Sequence, residues 1–264
     1  MYKRQLHDTF GFPFDLTADI AREKGLEIDE KRFNECMNLQ KETSKASSNF
    51  VSSLPAAAGV EETTFLGYEE LEANSKVLVI WKDQNRISEV AANDEIFIAC
   101  DQTPFYAEAG GQIGDTGKFA SDSVTGTILD CKKQGKVFIH KAIIDKGTIK
   151  TGDVIKMSVE KEKRAAIAIH HSSTHLVHAA LRRVLGDHVQ QKGSLVDEKK
   201  LRFDFSHTKS LTADEILKIE TIVNKEALKN LEIKTKLMSL DDALNSGAMA
   251  LFGEKYDDDV RVLT

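Results

Sequence analysis

The chain has 264 residues and is 41% apolar, enough for one large domain or two to three small ones with packed cores. It contains no run of about 18 apolar residues and no apolar signal-peptide core behind Met1, which argues against a membrane protein and favours a soluble, cytosolic one. The net charge of −6 and the pI near 5.8 argue weakly against a nucleic-acid partner, because Lys and Arg supply phosphate contacts but can be confined to one groove.

The first part of the chain is predicted to be helical. One helix begins after Pro13 and stops at Gly25, and a second begins at Asp29, which is a suitable N-cap, and continues to about residue 45. A serine-rich stretch with Pro55 and Gly59 then predicts a linker. Residues 1–58 are therefore expected to form a helical N-terminal segment.

Short β-branched runs follow, at residues 76–81, 95–99 and 136–139, and are separated by turn residues. Their spacing is typical of a small barrel or sandwich, and we expect a β-barrel over residues 59–158. The three cysteines, Cys36, Cys100 and Cys131, are far apart and form no C-x-x-C motif. They are expected to be reduced packing residues rather than a disulfide framework or a cysteine-only zinc site.

Residues 159–264 are predicted to form an α+β domain in which a helix packs on an antiparallel sheet. A helical segment runs from Glu160 to Gly186, residues 200–205 resemble a strand, and Thr212 with Glu215 forms a capping box. The last residues, 260–264, resemble a strand under way, which favours a truncated domain. The predicted fold class is thus α+β and multidomain.

Imidazoles recur along one face of the predicted helix, at His171, His175 and His178. Two histidines four residues apart can direct nitrogens to one zinc ion, about 2.0–2.1 Å from each. His178 lies about 10 Å along the axis from His171 and is left out of this pair. His170 points elsewhere and is expected to be structural or solvated. The opposite face is expected to be apolar and to carry Ile169, Leu176 and Ala180.

Spacing alone leaves two interpretations of the histidine pair open. The histidines either bind a metal ion or form hydrogen bonds inside a crowded helix interface. No Glu follows the first histidine, so the zinc-protease pattern is not met.

A second motif is rich in glycine, at Gly110, Gly111, Gly114 and Gly117. These residues permit positive φ angles and close approach by a polyanion, but the motif lies between strands and is not a dinucleotide fingerprint. A glycine-shaped turn in a small barrel is the alternative interpretation. The amide groups of residues 189–194, which include Gln191, suit a small polar substrate, although by themselves they indicate only a polar loop.

Four segments in order resemble the alanyl-tRNA synthetases. Residues 6–17 resemble the end of that family's tRNA-recognition helices, residues 107–117 its editing-region barrel motif, and residues 171–176 its first pair of zinc ligands. Residues 247–256 are similar to a further hallmark. The resemblance covers essentially the whole chain, and it implies proofreading: zinc-assisted hydrolysis of the ester that joins serine or glycine to alanine tRNA.

The resemblance also implies roles for individual residues. His171 and His175 become catalytic residues and two of four Zn²⁺ ligands, the other two belonging to a Cys-x-x-x-His motif beyond Thr264. Zinc bound by two imidazoles alone is held weakly. Gln191 matches a glutamine that lines the editing pocket, and Gly110 and Gly111 are assigned to substrate binding. The ATP-binding core of the family lies outside this sequence.

Serine is larger than alanine and glycine is smaller, so size exclusion cannot select both. Thr174 and Gln191 are therefore candidates for recognising the serine hydroxyl, although Thr174 can instead bond its own helix backbone. The expected partner is the acceptor end of tRNA(Ala), with no DNA and no membrane. Two alternatives remain: a freestanding alanyl-tRNA editing protein, against which residues 6–17 argue, and a non-catalytic tRNA-binding fragment.

Overall fold

A computed structural model describes residues 54–247 and 259–263, together with residues 18, 20–22, 24–26, 29, 32 and 33. The chain divides into two compact units, Met1–Leu54 and Pro55–Thr264. The segments 6–17 and 248–256, on which part of the family resemblance rests, lie outside the described residues, as does Cys36. The predicted domain limits at residues 58 and 158 stay predictions.

The described residues of the first unit contain one helix end and one helix start. Residues 20–22 are helical, Gly25 has φ +66°, and the amide of Leu26 donates to the carbonyl of Ala21. Such bonding over a left-handed glycine is typical of a helix C-terminus. The Asp29 carboxylate accepts a hydrogen bond from the Arg32 amide at 2.8 Å. The predicted stop at Gly25 and the predicted N-cap at Asp29 are both confirmed.

The second unit begins with ten strands. They are β1 Thr64–Phe65, β2 Glu72–Lys82, β3 Asn85–Ile87, β4 Glu89–Ala91, β5 Glu95–Cys100, β6 Gln102–Thr103, β7 Gly117–Ala120, β8 Val124–Gln134, β9 Val137–Lys150 and β10 Val154–Val159. Six of them close into an antiparallel barrel in the order β10-β7-β8-β9-β5-β2, with β10 pairing back to β2. The predicted β-barrel is confirmed.

Buried and exposed side chains alternate along the strands, as a closed barrel requires. In β8, buried and exposed residues alternate over most of the strand, as expected when one face points into a barrel. The enclosed core includes Ile98, Ile128 and Ile144, each fully buried. Cys100 and Cys131 are buried free thiols in the same core, and burial raises the pKa of both. They are packing residues, as predicted.

A smaller α+β layer follows the barrel. It consists of α1 Lys161–Leu185, β11 Gln191–Val196, β12 Leu201–Phe205, α2 Ala213–Leu228, β13 Thr235–Ser239, α3 Leu240–Asn245 and β14 Asp259–Leu263. α1 stops at Gly186, where φ is +116°, and α2 begins with the predicted capping box of Thr212 and Glu215. β14 pairs with β13, so the C-terminal strand is confirmed. In the part of the chain that is described, no helix is long and apolar enough to cross a membrane.

One expectation about this layer is wrong. Residues 189–194 are not a polar loop throughout, because Gln191–Val196 form strand β11, whose backbone pairs with β12 despite its polar side chains. The predicted apolar face of α1 contains both Ala180, which is 1% exposed, and Ile169, which is 65% exposed. On the histidine face, His178 is only 7% exposed, because Phe203 of β12 lies against it with ring centroids 5.1 Å apart.

Candidate active site

The glycine-rich motif forms a tight turn. The amides of Ala109 and Gln112 each donate to the other's carbonyl, at 3.2 and 2.9 Å, across Gly110 and Gly111. Both glycines have positive φ, +58° and +82°, as the two central positions of a type I′ turn require. The motif is therefore a glycine-shaped turn, and this turn projects out of the barrel wall toward the second layer.

Strand β11 holds the turn from one side. Val196 donates its amide to the carbonyl of Gly111 at 2.8 Å, and Ile113 donates its amide to the carbonyl of Val196 at 3.1 Å. A side chain at position 111 would place its Cβ 2.6 Å from the carbonyl oxygen of Ser194. Only glycine, which has no Cβ, allows this approach, so the backbone of the turn packs directly against the backbone of β11.

A buried ion pair ties the same segment to the start of α1. The guanidinium of Arg164 bonds both carboxylate oxygens of Asp115, and it also donates to the carbonyls of Gly67 at 2.8 Å and Pro104 at 3.0 Å. The Asp115 side chain is 1% exposed and accepts a further bond from the Tyr106 amide at 2.7 Å. The barrel and α1 therefore meet in a satisfied polar contact.

Gln112 then reaches the histidine pair. Its Oε1 lies 2.7 Å from Nδ1 of His171, and the residue is only 7% exposed. The rings of His171 and His175 are nearly parallel, with centroids 5.2 Å apart. The structure thus brings together three of the residues that carry chemistry: two imidazoles from α1 and one amide from the barrel.

Both imidazoles of the pair favour the neutral form. Burial lowers the pKa of His171, and the neighbouring His175 lowers it further. Burial also lowers the pKa of His175. Neutral imidazole is the form that binds a metal ion or accepts a proton, so the pair is suited to either task near neutral pH.

The ring separation of the pair is compatible with two ligands of one zinc ion. Two imidazoles bound to one tetrahedral ion through nitrogens about 2.0–2.1 Å away place their ring centroids about 5 Å apart, close to the separation found here. Within residues 54–247 and the other described positions, however, no group of three or more His, Cys, Asp or Glu side chains could hold a metal. The fit to zinc therefore rests on two ligands, and zinc binding stays a prediction.

The remaining histidines of α1 have structural partners. His170 Nδ1 lies 2.7 Å from the carbonyl of Asp197 in the β11–β12 turn, so His170 is structural, as expected. His178 is buried against Phe203, and its Nε2 atom has no hydrogen-bond partner.

Thr174 and Gln191 are the two residues predicted to recognise the serine hydroxyl. The Thr174 hydroxyl donates to the carbonyl of His170 at 2.9 Å, which leaves only its acceptor lone pairs for a ligand. Gln191 pairs with Phe205, and Ser194 with Phe203, so both lie on the sheet face that packs on α1. Ser194 lies beside Gly111 of the turn, whereas Gln191 lies farther along β11. The roles of Thr174 and Gln191 in substrate recognition stay predictions.

The residue that the sequence interpretation missed is Gln112. It stands next to Gly111 in the glycine-rich motif, but 59 positions separate it from His171. Nothing local in the sequence indicates that contact. The signal that could have found it is a polar residue with a long side chain directly after a two-glycine turn, a position from which it can leave the barrel surface.

Comparison with known protein families shows which family the sequence matches. Residues 3–163 match the sequence model of the family described as tRNA synthetases class II (A), which is more than half of the chain. The chain belongs to the class II (A) tRNA synthetases. Within this family member the match includes the barrel and the glycine-rich turn, and it ends near Arg164 at the start of α1.

Individual relatives are similar over nearly the whole chain. The alanine–tRNA ligase of Nitrosospira multiformis is 49% identical over 98% of this synthetase-family chain, and that of Nitrosomonas europaea is 48% identical over the same share. The alanine–tRNA ligase of Burkholderia multivorans is also 48% identical. In each case the chain spans about 30% of the length of the relative.

Proposed function

We propose that this chain carries the proofreading activity of an alanine–tRNA ligase: hydrolysis of the ester that joins serine or glycine to tRNA(Ala). The observation that carries the proposal is the stacked pair of His171 and His175, in which His171 forms a hydrogen bond with Gln112 of the glycine-rich turn. Sequence identity of 46–49% to alanine–tRNA ligases supports the proposal that the substrate is a charged tRNA. The ATP-dependent joining of alanine to tRNA is not part of the proposal.

The reaction needs a water molecule, a route for protons and a positioned ester. Water attacks the carbonyl carbon, a tetrahedral intermediate forms, and the bond to the ribose oxygen breaks. That oxygen leaves as a hydroxyl after taking up a proton, and the amino acid leaves as a carboxylate. Without a metal, the neutral imidazoles of His171 and His175 can accept the proton of the attacking water. If the same two lone pairs held zinc, zinc would supply Lewis acidity and the solvent would take up the proton.

Substrate selection is proposed to depend on hydrogen bonds. A pocket that bonds a hydroxyl discriminates more strongly than one that measures a single methyl group. Thr174, which keeps acceptor lone pairs, and Gln191 on the α1-facing side of β11 are the proposed partners of the serine hydroxyl. Gly110 offers backbone groups at an open position, because nothing lies within 4 Å of a Cβ added there.

The experiment is a deacylation assay on the 264-residue chain. The substrates are tRNA(Ala) charged with serine, with glycine or with alanine, each with added zinc and with a chelator. Release of serine and glycine but not alanine, dependent on zinc, is the expected result. His175→Ala should lower the rate at least about 100-fold, because it removes half of the pair.

His207→Ala is the matched control. His207 pairs with His188 beyond the end of α1, with a 2.9 Å separation between ring nitrogens, and belongs to no part of the proposed site. The control should retain the wild-type rate. Equal rates for His175→Ala and wild type would refute the role of the pair.

A non-catalytic tRNA-binding role is the second candidate. It is favoured by one observation, that the described residues bring only two metal ligands together. In that case the wild-type chain releases no amino acid under any condition but still retains tRNA(Ala) in a binding assay. That outcome would contradict the proposed hydrolysis.

A further inference from the structure

The contact between Gln112 and His171 joins two parts of the fold that are remote in sequence. Nδ1 of His171 lies 2.7 Å from Oε1 of Gln112. An amide oxygen can only accept a hydrogen bond, so this contact requires the proton of the neutral imidazole to be on Nδ1. The lone pair of the ring is then on Nε2.

The position of Gln112 is fixed by its backbone rather than by chance packing. The amide of Gln112 closes the two-glycine turn, and the adjacent residues Gly111 and Ile113 are both bonded to Val196. Three residues later, Asp115 is bound by Arg164, which lies seven residues before His171 on the same helix. These contacts anchor the backbone of Gln112 beside the helix that carries the histidines.

We propose that Gln112 is a positioning residue that fixes His171 in the Nδ1–H tautomer and orients its ring beside His175. The glycine-rich turn thus acts on the site through His171. This inference deepens the proposed function and rests on it for its catalytic meaning, but the tautomer can be observed without any activity. Histidines that bind metals commonly donate their second nitrogen to such a partner, and loss of the partner typically weakens affinity or activity 10- to 100-fold.

The primary test is nitrogen-15 NMR of the 264-residue chain, at a pH where the imidazoles are neutral. Long-range proton–nitrogen spectra distinguish the Nδ1–H and Nε2–H tautomers, and His171→Ala assigns the signal. Wild type should show His171 as Nδ1–H. Gln112→Leu, which removes the acceptor at similar volume, should shift His171 toward Nε2–H, and Gln112→Glu, which keeps an acceptor, should retain Nδ1–H.

Gln190→Leu is the matched control, because Gln190 is exposed and its side chain bonds Lys192 rather than a histidine. It should leave the His171 spectrum unchanged. An Nε2–H tautomer in wild type, or an unchanged tautomer in Gln112→Leu, would overturn the proposal. Chemical shifts of barrel residues such as Ile98 show whether each variant is folded.

Zinc affinity, measured by competition with a coloured chelator, is the second readout. Gln112→Leu should bind zinc about 10- to 100-fold more weakly than wild type, and Gln112→Glu should restore most of the loss. Equal affinity in all three proteins would contradict the orienting role. If wild type shows the Nδ1–H tautomer but no deacylation, the positioning role stands and the proposed function fails, so the two failures are distinguishable.

Discussion

The barrel and the layer that contains α1 differ in how they bury apolar surface. Among the described residues, the barrel core contains nineteen buried apolar side chains, whereas the cluster that joins α1 to α2 contains four, with Ile167 of α1 and Val196 of β11 buried outside that cluster. α2 also leaves Leu217 62% exposed. Because hydrophobic burial is the main favourable term in folding, the barrel is expected to be the more stable of the two.

The difference explains how the site is divided between them. The histidines lie on the lightly packed helix, and Gln112, which bonds His171, comes from the barrel through the glycine-rich turn. Among the described residues, Arg164–Asp115, His171–Gln112 and Lys163–Thr116 are side-chain contacts that connect the glycine-rich segment 107–117 to α1. A stable scaffold can thus orient groups on a less stable element, and changes at the junction should affect the site more than changes on either side.

Arg164→Met should have the largest effect on stability. It leaves the Asp115 carboxylate buried without its partner, and loss of one member of a buried pair costs about 3–5 kcal/mol. The free energy of unfolding, measured with urea, should fall by that amount. The hairpin and α1 should also lose protection from hydrogen exchange before the barrel does.

The double variant Arg164→Met/Asp115→Asn is the control for this prediction. A neutral amide at position 115 can still accept the bond from the Tyr106 amide, so the double variant should be more stable than Arg164→Met alone. Equal losses in both variants would mean that packing of the arginine, and not its charge, holds the junction.

The stability of the barrel should depend on pH through His140. His140 is fully buried between Thr103 and the carbonyl of Ile98, and burial lowers its pKa to about 4 from 6.5. Unfolded His140 takes up a proton as the pH falls below about 6.5, whereas the folded form does so only near pH 4. This contribution is complete above the unfolded pKa and is lost between those values, by about 3 kcal/mol.

Urea unfolding of wild type and His140→Gln across this pH range measures the effect. Glutamine can bond the same two neighbours but does not titrate, so its stability should depend less steeply on pH. The carboxylates titrate in both proteins, so the difference between the two plots of unfolding free energy against pH gives the contribution of His140 alone. Parallel curves would show that His140 is not kept neutral by the barrel.

Local features of the fold were predictable from the sequence because their signals are local. Short β-branched runs separated by turn residues predicted the barrel strands, and Thr212 with Glu215 predicted the start of α2. The stop of α1 at Gly186 was predicted in the same way. Side-chain periodicity placed His171 and His175 on one face and Ile169 on the other, but it does not say which residues of a face are covered, and Ile169 is 65% exposed.

Contacts between remote segments could not be predicted in this way. The approach of Gly111 to Ser194 and of Gln112 to His171 depends on how the turn docks on β11, which no periodicity encodes. β11 itself was missed because its polar residues and Gly193 give a weak strand signal. The sequence therefore predicts only the histidine pair of the site, and the contact of Gln112 with His171 is found only in the tertiary structure.

Gly111→Ala and Gly110→Ala form a matched pair at the junction and should have the smallest effects on stability. Both glycines have positive φ, so alanine should cost about 1–3 kcal/mol at either position. Only at position 111 does the added Cβ also meet backbone, 2.6 Å from the Ser194 carbonyl oxygen, whereas position 110 is open. Gly111→Ala should therefore be the more destabilising of the two.

Hydrogen exchange of the Val196 amide is the direct measurement, because that amide bonds the carbonyl of Gly111. Its protection should fall in Gly111→Ala and change little in Gly110→Ala, while barrel amides such as Ile98 stay protected in both. Equal loss of protection in the two variants would mean that the turn conformation, and not the fit to β11, connects the barrel to the histidine helix. Loss that spreads through the barrel would instead show that the two regions unfold as one unit, against the difference in burial.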